Sequence, residues 1–355
     1  MNYCITIVLL LLLQFATSSN NIPDDFTFNG NLTLDGYAEL GSNGLFTLTR
    51  QTYGYGHAFY TFPIQFKNSS NASVISFSTT FVFAIVPESP IRRGHGLAFV
   101  VSPNKEIPGA HPGQYLGLFN DTNNGKSSNH ILAVELDTMY SSMFDDINEN
   151  HVGIDIDGLN SIKSAPAGYF ADQNGAFRNL SLISSDPMQV WVEYDGINRQ
   201  LNVTMSPINL SKPALPLLSL TKDLSPFLLE YMYVGFSSSA GYFRADYYLL
   251  GWSFKMNGQA QQIDMSRFPK LPQSRQVLNT RLKKLGLLCT HAIAAARPSM
   301  CTVVQYLEGR AQLPDNLGNI IKSRDFGEAS NEQNVQLPTL VTSLTFSEPF
   351  TSPGR

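Results

Sequence analysis

From Phe26 to about Lys255 apolar residues recur with a period of two. In the run Ile75-Ser-Phe-Ser-Thr-Thr-Phe-Val-Phe-Ala-Ile, residues Ile75, Phe77, Phe81, Phe83 and Ile85 fall on one face of an extended chain. Leu97, Phe99 and Val101 repeat the pattern. So do Val152, Ile154 and Ile156, then Val190, Val192 and Tyr194, then Leu201, Val203 and Met205. Turn-forming residues separate these runs: Pro87, Pro90, Pro103-Asn104, Asp157-Gly158 and Asp195-Gly196. No helical pattern of comparable length intervenes. The prediction is an all-β sandwich of two packed antiparallel sheets, of a topology that alternation alone does not choose.

The pattern changes after Met265. Arg267, Lys270, Arg275, Arg281, Lys283 and Lys284 form a basic stretch with Pro269 and Pro272, which reads as a linker over 263–280. Leu282, Leu285, Leu288 and Cys289 then follow a helical spacing. Met300, Val303, Val304 and Leu307 recur at i, i+3, i+4 and i+7 between Pro298 and Gly309, predicting a second short helix within 281–313. The polar tail 314–355 has no sustained period and is expected to be disordered.

Composition narrows the class. The net charge of −4, with 15% charged residues, gives no polybasic signal for nucleic acid. The apolar run Ile5 to Leu13, followed by Ala16-Thr-Ser-Ser, reads as a signal peptide over residues 1–19, although no Lys or Arg precedes it. A buried N-terminal strand is the plainer alternative. No later run has the roughly 18 apolar residues of a membrane span, so the mature chain is expected to be secreted into the extracellular space, the apoplast of a plant. Of three cysteines, Cys4 leaves with the signal and Cys289 and Cys301 lie near the far end, so no disulfide is expected in the sandwich. Asn31, Asn68, Asn71, Asn120, Asn179, Asn202 and Asn209 each open an N-x-[ST] sequon, all within the first two thirds of the chain.

The candidate chemistry lies in Ala133-Val-Glu-Leu-Asp-Thr-Met-Tyr-Ser-Ser-Met-Phe-Asp-Asp-Ile-Asn-Glu-Asn-His-Val-Gly-Ile-Asp. Glu135 and Asp137, two apart on a strand, send both carboxylates from one face. Asp145 and Asp146 follow on a loop, and His151 opens the next apolar run. Carboxylates alone suit Ca²⁺, and carboxylates with imidazole suit Mn²⁺ or another transition ion. A solvated acidic hairpin with a surface histidine is the competing reading.

This segment resembles, without a gap, the metal loop of the legume lectins. Other stretches extend the resemblance over roughly Asp24 to Phe254: Phe26-Thr-Phe-Asn-Gly-Asn-Leu, Gly94-His-Gly-Leu-Ala-Phe-Val-Val-Ser-Pro, Gly113-Gln-Tyr-Leu-Gly-Leu-Phe-Asn, and Val234-Gly-Phe-Ser-Ser-Ser-Ala-Gly followed by Trp252-Ser-Phe. The resemblance implies a concanavalin-like jelly-roll sandwich over 20–262. It implies Glu135, Asp137, Asp146 and His151 as transition-ion ligands, with Asp137 and Asp146 bridging to Ca²⁺ and Met139 offering its carbonyl. The family's Ca²⁺-binding Asn is replaced by Ser141, a shorter and weaker ligand, so Ca²⁺ is expected to bind less well.

The same resemblance implies a sugar site with two replacements. His95 stands where the family has an Asp acceptor, and Ser141 where it has the Asn. Gly113 is expected to supply a backbone amide, Tyr140 or Phe144 a stacking ring, and Ala240, Gly241 and Tyr242 the fourth loop. Losing a charged acceptor removes strong hydrogen bonds, so weak monosaccharide binding is expected.

Leu282-Lys-Lys-Leu-Gly-Leu-Leu-Cys-Thr-His-Ala-Ile-Ala-Ala-Ala-Arg-Pro-Ser-Met and Val303-Val-Gln-Tyr-Leu-Glu-Gly resemble the last helices of plant receptor-like kinases. Together the two resemblances point to the L-type lectin receptor kinases. The sequence lacks a kinase Gly-rich loop, strand lysine and catalytic loop. Asp325-Phe326-Gly327 follows the kinase-like helices rather than preceding them, so no phosphoryl transfer is expected. A glycoside hydrolase would need paired carboxylates across a cleft; Glu135 and Asp137 are the one obvious pair, and the resemblance to the metal loop already accounts for them. The expected function is therefore non-catalytic: a secreted module for glycans or glycoconjugates. The alternative is a receptor-kinase-derived module for a non-sugar ligand or another receptor. Self-association stays open.

Overall fold

A computed structural model describes residues 25–27, 32–88, 93–172, 175–272, 285–290 and 297–307. Two antiparallel sheets hold most of the strands. The first runs Leu218–Thr221 (β16), Gln200–Pro207 (β15), Met188–Asp195 (β14), Phe77–Pro87 (β7), Ala245–Met256 (β18), Phe46–Thr49 (β4) and Glu39–Leu40 (β3), with Asp25–Thr27 (β1) paired to β18. The second runs Lys163–Pro166 (β11), His151–Ile156 (β10), Leu132–Asp137 (β9), Gly96–Ser102 (β8), Tyr231–Ala240 (β17), Gly54–Tyr60 (β5) and Leu32–Gly36 (β2), with Ile64–Gln65 (β6) on β17. Gly168–Phe170 (β12) and Phe177–Asn179 (β13) form a small hairpin. In each sheet the middle of the strand order joins elements distant in sequence, β14-β7-β18-β4 in the first and β8-β17-β5 in the second, as in a jelly roll.

The alternating residues predicted to face inward do so. Phe77, Phe81, Phe83 and Ile85 of β7, Leu97, Phe99 and Val101 of β8, and Val190, Val192 and Tyr194 of β14 share one core between the sheets. Phe81 and Trp252 reach across it to Phe236, at ring-centroid distances of 4.9 and 4.8 Å. Edge-to-face packing of this kind adds to the gain from burial alone.

Both outer faces are also covered, which the alternation did not show. On the first sheet Val82, Ala84, Val86, Tyr248 and Leu250 are buried, with Ile263, Phe268 and Leu271 packed against them. Part of the stretch expected as linker thus lies on the sheet as apolar cover. Gly251 has no side chain there, and a Cβ would come within 2.6 Å of Ile263. On the second sheet the loop residues Ile107, Ala110, Leu116, Leu118 and Phe119 cover Phe59, Ala98, Val100 and Ala133.

Residues 280–355 form a separate unit. Residues 285–289 are helical, and a second helix, Met300–Leu307, has Ser299 as its cap, whose Oγ accepts the amide of Thr302. Leu285, Leu288 and Val303 are buried, whereas Met300 and Val304, expected on the same face as Val303, are exposed. Cys289 and Cys301 are free thiols. Among the described residues no helix is long and apolar enough to cross a membrane. The expected signal peptide, the tail from 314 and Asp325-Phe326-Gly327 lie outside the described residues.

Candidate metal centre and loop pocket

Strands β9 and β10 pair with His151 opposite Asp137 and Gly153 opposite Glu135. Val134 and Leu136 point into the core, so Glu135 and Asp137 leave the outer face of the second sheet together, as the period of two requires. Glu135, Asp137 and His151 are all buried, and each offers a ligand atom within 4.8 Å of the other two. His151 Nε2 lies 3.2 Å from Glu135 Oε1, and its Nδ1 lies 2.8 Å from the carbonyl of Asn148, which fixes the ring. Gly153 keeps this space open, since a Cβ there would meet Ser161 Oγ at 1.9 Å and Glu135 Oε1 at 2.4 Å.

Two residues that sequence reading missed complete the cluster. Ser161 Oγ lies 2.8 Å from Glu135 Oε1 and 2.7 Å from Asp155 Oδ1. Asp155 is fully buried, and its Oδ2 has no hydrogen-bond partner. Burial, then the charge of Glu135, pushes both Asp137 and Asp155 well above the usual carboxylate range. Burial alone would lower His151, but the hydrogen bond and charge of Glu135 outweigh it and hold the imidazole above its ordinary value. Several acids crowded away from water, one with an orphaned oxygen, make a donor set that a divalent cation would satisfy.

The remaining expected metal residues lie beside this cluster. The Oδ2 of Asp146 accepts the backbone amide of Ser141 at 2.6 Å. Asp146 is not among the three whose ligand atoms converge, although the charges of Glu135 and His151 both act on it. The amide of Met139 donates to Asp137 Oδ1 at 2.6 Å. Ser141 is buried and its Oγ donates to Gln114 Oε1 at 3.2 Å.

Next to the cluster an open pocket of about 590 Å³ is lined by Tyr53, His95, His111, Pro112, Gly113, Gln114, Tyr115, Met139, Gly241, Tyr242 and Phe243. It gathers His95, Gly113, Gly241 and Tyr242 from three loops distant in sequence. The other expected residues are placed differently. Phe144 is buried, with its ring edge-on to Tyr115 at 5.5 Å, so it belongs to the cover of the second sheet. Ala240 is buried at the end of β17, and Tyr140 is exposed away from the lining.

The wall formed by residues 113–118 is held from below by polar side chains of the second sheet. The amide of Gly113 donates to Ser239 Oγ at 2.6 Å. Ser237 Oγ donates to the carbonyl of Leu116 at 2.5 Å, and His57 Nε2 lies 2.7 Å from the carbonyl of Gly117. The Gly113 amide expected to serve a ligand is thus already engaged. Gly113, Leu116 and Gly117 all have positive φ, which folds the wall tightly back on itself. At the pocket floor the His95 ring lies against Gly241, where a Cβ would come within 2.5 Å of its Cε1. Burial lowers this imidazole to about 4, so it is neutral at physiological pH.

Residues 21–270 match the model of the legume lectin domain. The chain belongs to the legume lectin family. Its lectin domain is a carbohydrate-binding type of module and not an enzyme. Among curated proteins, this lectin chain is 54% identical over 284 residues to the L-type lectin-domain containing receptor kinase V.9 of Arabidopsis thaliana, covering 79% of the chain and 42% of that protein. It spans about two fifths of the length of the curated relatives it matches. Among solved structures, lectin II from Ulex europaeus has a TM-score of 0.56 at 28% identity, covering 66% of this chain and 98% of the other. The lectin UEA-II complexed with galactose has a TM-score of 0.55 at 27% identity, covering the same shares. In this lectin the sandwich was legible from sequence. The pocket residues Tyr53, His111, Gln114, Tyr115 and Phe243 were not identified, because they lie in no metal motif and come together only through the loops.

Proposed function

We propose that this chain is an exported, metal-loaded glycan-recognition module with weakened affinity for simple sugars. The observation that carries this reading is the pocket itself. It lies on the loop face beside Glu135, Asp137 and His151, yet has the neutral imidazole of His95 where an anionic acceptor is expected. The galactose complex of a protein with this fold supports a carbohydrate as the ligand class. Glu135, Asp137 and His151 would hold a transition ion, Mn²⁺ or a similar one, with Asp146 and the carbonyl of Met139 turned toward a weaker Ca²⁺ site. The ions' chemistry here is structural: they would fix the loop 139–146, whose first residue, Met139, lines the pocket. A second reading, a receptor-kinase-derived module for a non-sugar ligand or another receptor, draws support from the relatives' names and from the engaged amide of Gly113.

Glycan-array binding with and without chelator tests the first reading; metal-dependent binding of an extended glycan is expected. Restoring His95→Asp with Ser141→Asn should create or strengthen monosaccharide binding. Each new bond to a charged group contributes roughly 1.5–3 kcal/mol, or one to two decades in affinity. The pair should exceed the sum of the single variants, because the Asn orders the ion beside the new carboxylate. Calorimetric titration with common hexoses checks it, and a folded, metal-loaded double variant that ignores every hexose would refute the arrangement.

Export predicts N-glycans. Asn68, Asn71, Asn179 and Asn209 are exposed, whereas Asn120 already uses its amide on Gly109 and Asn202 lies within β15, half-buried. Asn31 lies outside the described residues. Glycosidase treatment after expression in a secretory host should lower the mass through the exposed four, and an unchanged mass would count against export.

A further inference from the structure

The wall 113–118, of which Gly113, Gln114 and Tyr115 line the pocket, rests on an ionisable side chain that the metal centre does not use. His57 of β5 stands opposite Asp35 of β2 and Ser237 of β17. Ala58 points into the core, so the His57 ring leaves the outer face of the second sheet, where the wall buries it fully. The contact is close: a Cβ on Gly117 would come within 2.8 Å of both Ser237 Oγ and Tyr55 Cβ. Both ring nitrogens face acceptors. Nε2 lies 2.7 Å from the carbonyl of Gly117, and Nδ1 lies 3.2 Å from Asp35 Oδ2. A neutral imidazole carries one N–H. The shorter contact assigns it to Nε2, which donates to Gly117 and leaves the Nδ1 lone pair toward Asp35.

A second proton can go only to Nδ1, making an imidazolium inside the fold. The rings of Tyr55 and Phe59 lie beside it, with centroids 4.9 and 6.0 Å away. From β17 the neighbour is Ser237, uncharged, which donates to the carbonyl of Leu116. Asp35 is the charged side chain that acts on the ring, and 40% of it is exposed, so water screens its help. Burial therefore dominates and holds the imidazole below its ordinary value, with the Gly117 and Asp35 contacts offsetting it only in part. Lifting the wall would return the ring to water, where it takes the second proton at ordinary affinity. By linkage, proton uptake favours the lifted wall. We propose that His57 is a positioning residue of the loop face: neutral, it props the wall closed through Gly117, and a proton on Nδ1 releases the wall in mildly acidic solution. This goes beyond the glycan reading, because it concerns when the pocket is formed and is tested without any ligand.

The test is NMR of the isotope-labelled full chain. Near neutral pH the His57 ring should show a proton on Nε2 alone, and it should titrate below the ordinary histidine value of about 6.5. Hydrogen exchange then reads the wall through the amides of Gly117 and Leu118, which donate to the carbonyls of His111 and Tyr115. After correction for intrinsic rates, their protection should fall by up to about tenfold between about pH 7.5 and about pH 5.5, one proton being taken up on opening. The amides of Val190 and Val192, in the other sheet, should not follow. His57→Gln keeps a donor for Gly117 with nothing to protonate, so protection near neutrality should persist and the pH response should vanish. Its metal cluster is untouched, which separates this response from acid release of an ion. His111→Gln, on the other histidine of the wall, should leave the response in place. A doubly protonated His57 at neutral pH, titration at or above the ordinary value, or wall protection that ignores pH would overturn the proposal on the wild-type protein alone. A response that survives in His57→Gln, or disappears in His111→Gln, would also overturn it. None of these outcomes bears on whether the loop face binds glycans.

Discussion

Asp137→Ala is expected to strip the bound transition ion from the protein and to lower its affinity by more than roughly 100-fold. Loss of an outer-shell partner alone typically costs 10–100-fold, and Asp137 would be a direct ligand. It stands opposite His151 in the β9–β10 register and is buried with Glu135, so no nearby water can replace it cheaply. Elemental analysis of purified wild type and variant decides the point, and unchanged metal content would show that the ion sits elsewhere. The pH dependence follows from the same crowding. Protons compete with a metal for these groups, and burial raises Asp137 and Asp155 while Glu135 raises His151. A group whose folded pKa is raised contributes most stability below its unfolded value and loses that contribution as pH rises through the folded value. The metal-free protein is therefore most penalised by this cluster near and above neutrality. The Tm difference between metal-loaded and chelated protein should be widest there and should close on acidification. A difference that widened toward acid would contradict the assignment.

Trp252→Ala is expected to cost about 3–5 kcal/mol of folding stability. Its ring bridges the sheets to Phe236, and its Nε1 donates to Thr79 Oγ1 at 2.9 Å on the neighbouring strand. Thr79 still donates to the carbonyl of Ser253, so the loss is mainly the cavity and the buried ring area. For a domain of this size the change corresponds to a fall in Tm of roughly 6–20 °C. Thermal unfolding checks it, with Ile197→Ala, 91% exposed, as a substitution that should leave Tm within about 1 °C. A Trp252→Ala protein with wild-type Tm would mean that the two sheets do not depend on this contact.

How far the site could be read in advance depended on whether its residues are local. Glu135 and Asp137 are two apart, so the strand period alone placed them on one face, and His151 opens the adjacent strand of the same hairpin. Asp155 belongs to that strand too, yet its alternation with Ile154 and Ile156 looks like an ordinary solvent-facing residue. Only the Ser161 turn and the covering loops show it to be buried. The partner of Gly113 was hidden for a similar reason. A glycine in a loop looks like a free amide, and its partner Ser239 lies 126 residues away on β17.

The sequence by itself determined the all-β class, the inward residues of the long strands, the acidic-histidine hairpin and the two short helices near the C-terminal end. These depend on spacings of two to four residues, where backbone geometry alone directs side chains. Tertiary structure decided which outer faces are covered, that Phe144 is cover rather than pocket wall, and that Tyr53, Tyr115 and Phe243 meet His95 around one cavity. Those contacts join loops whose residues are far apart along the chain. Their relative positions follow from strand order and loop closure in the sandwich, and a short-range pattern carries no information about either.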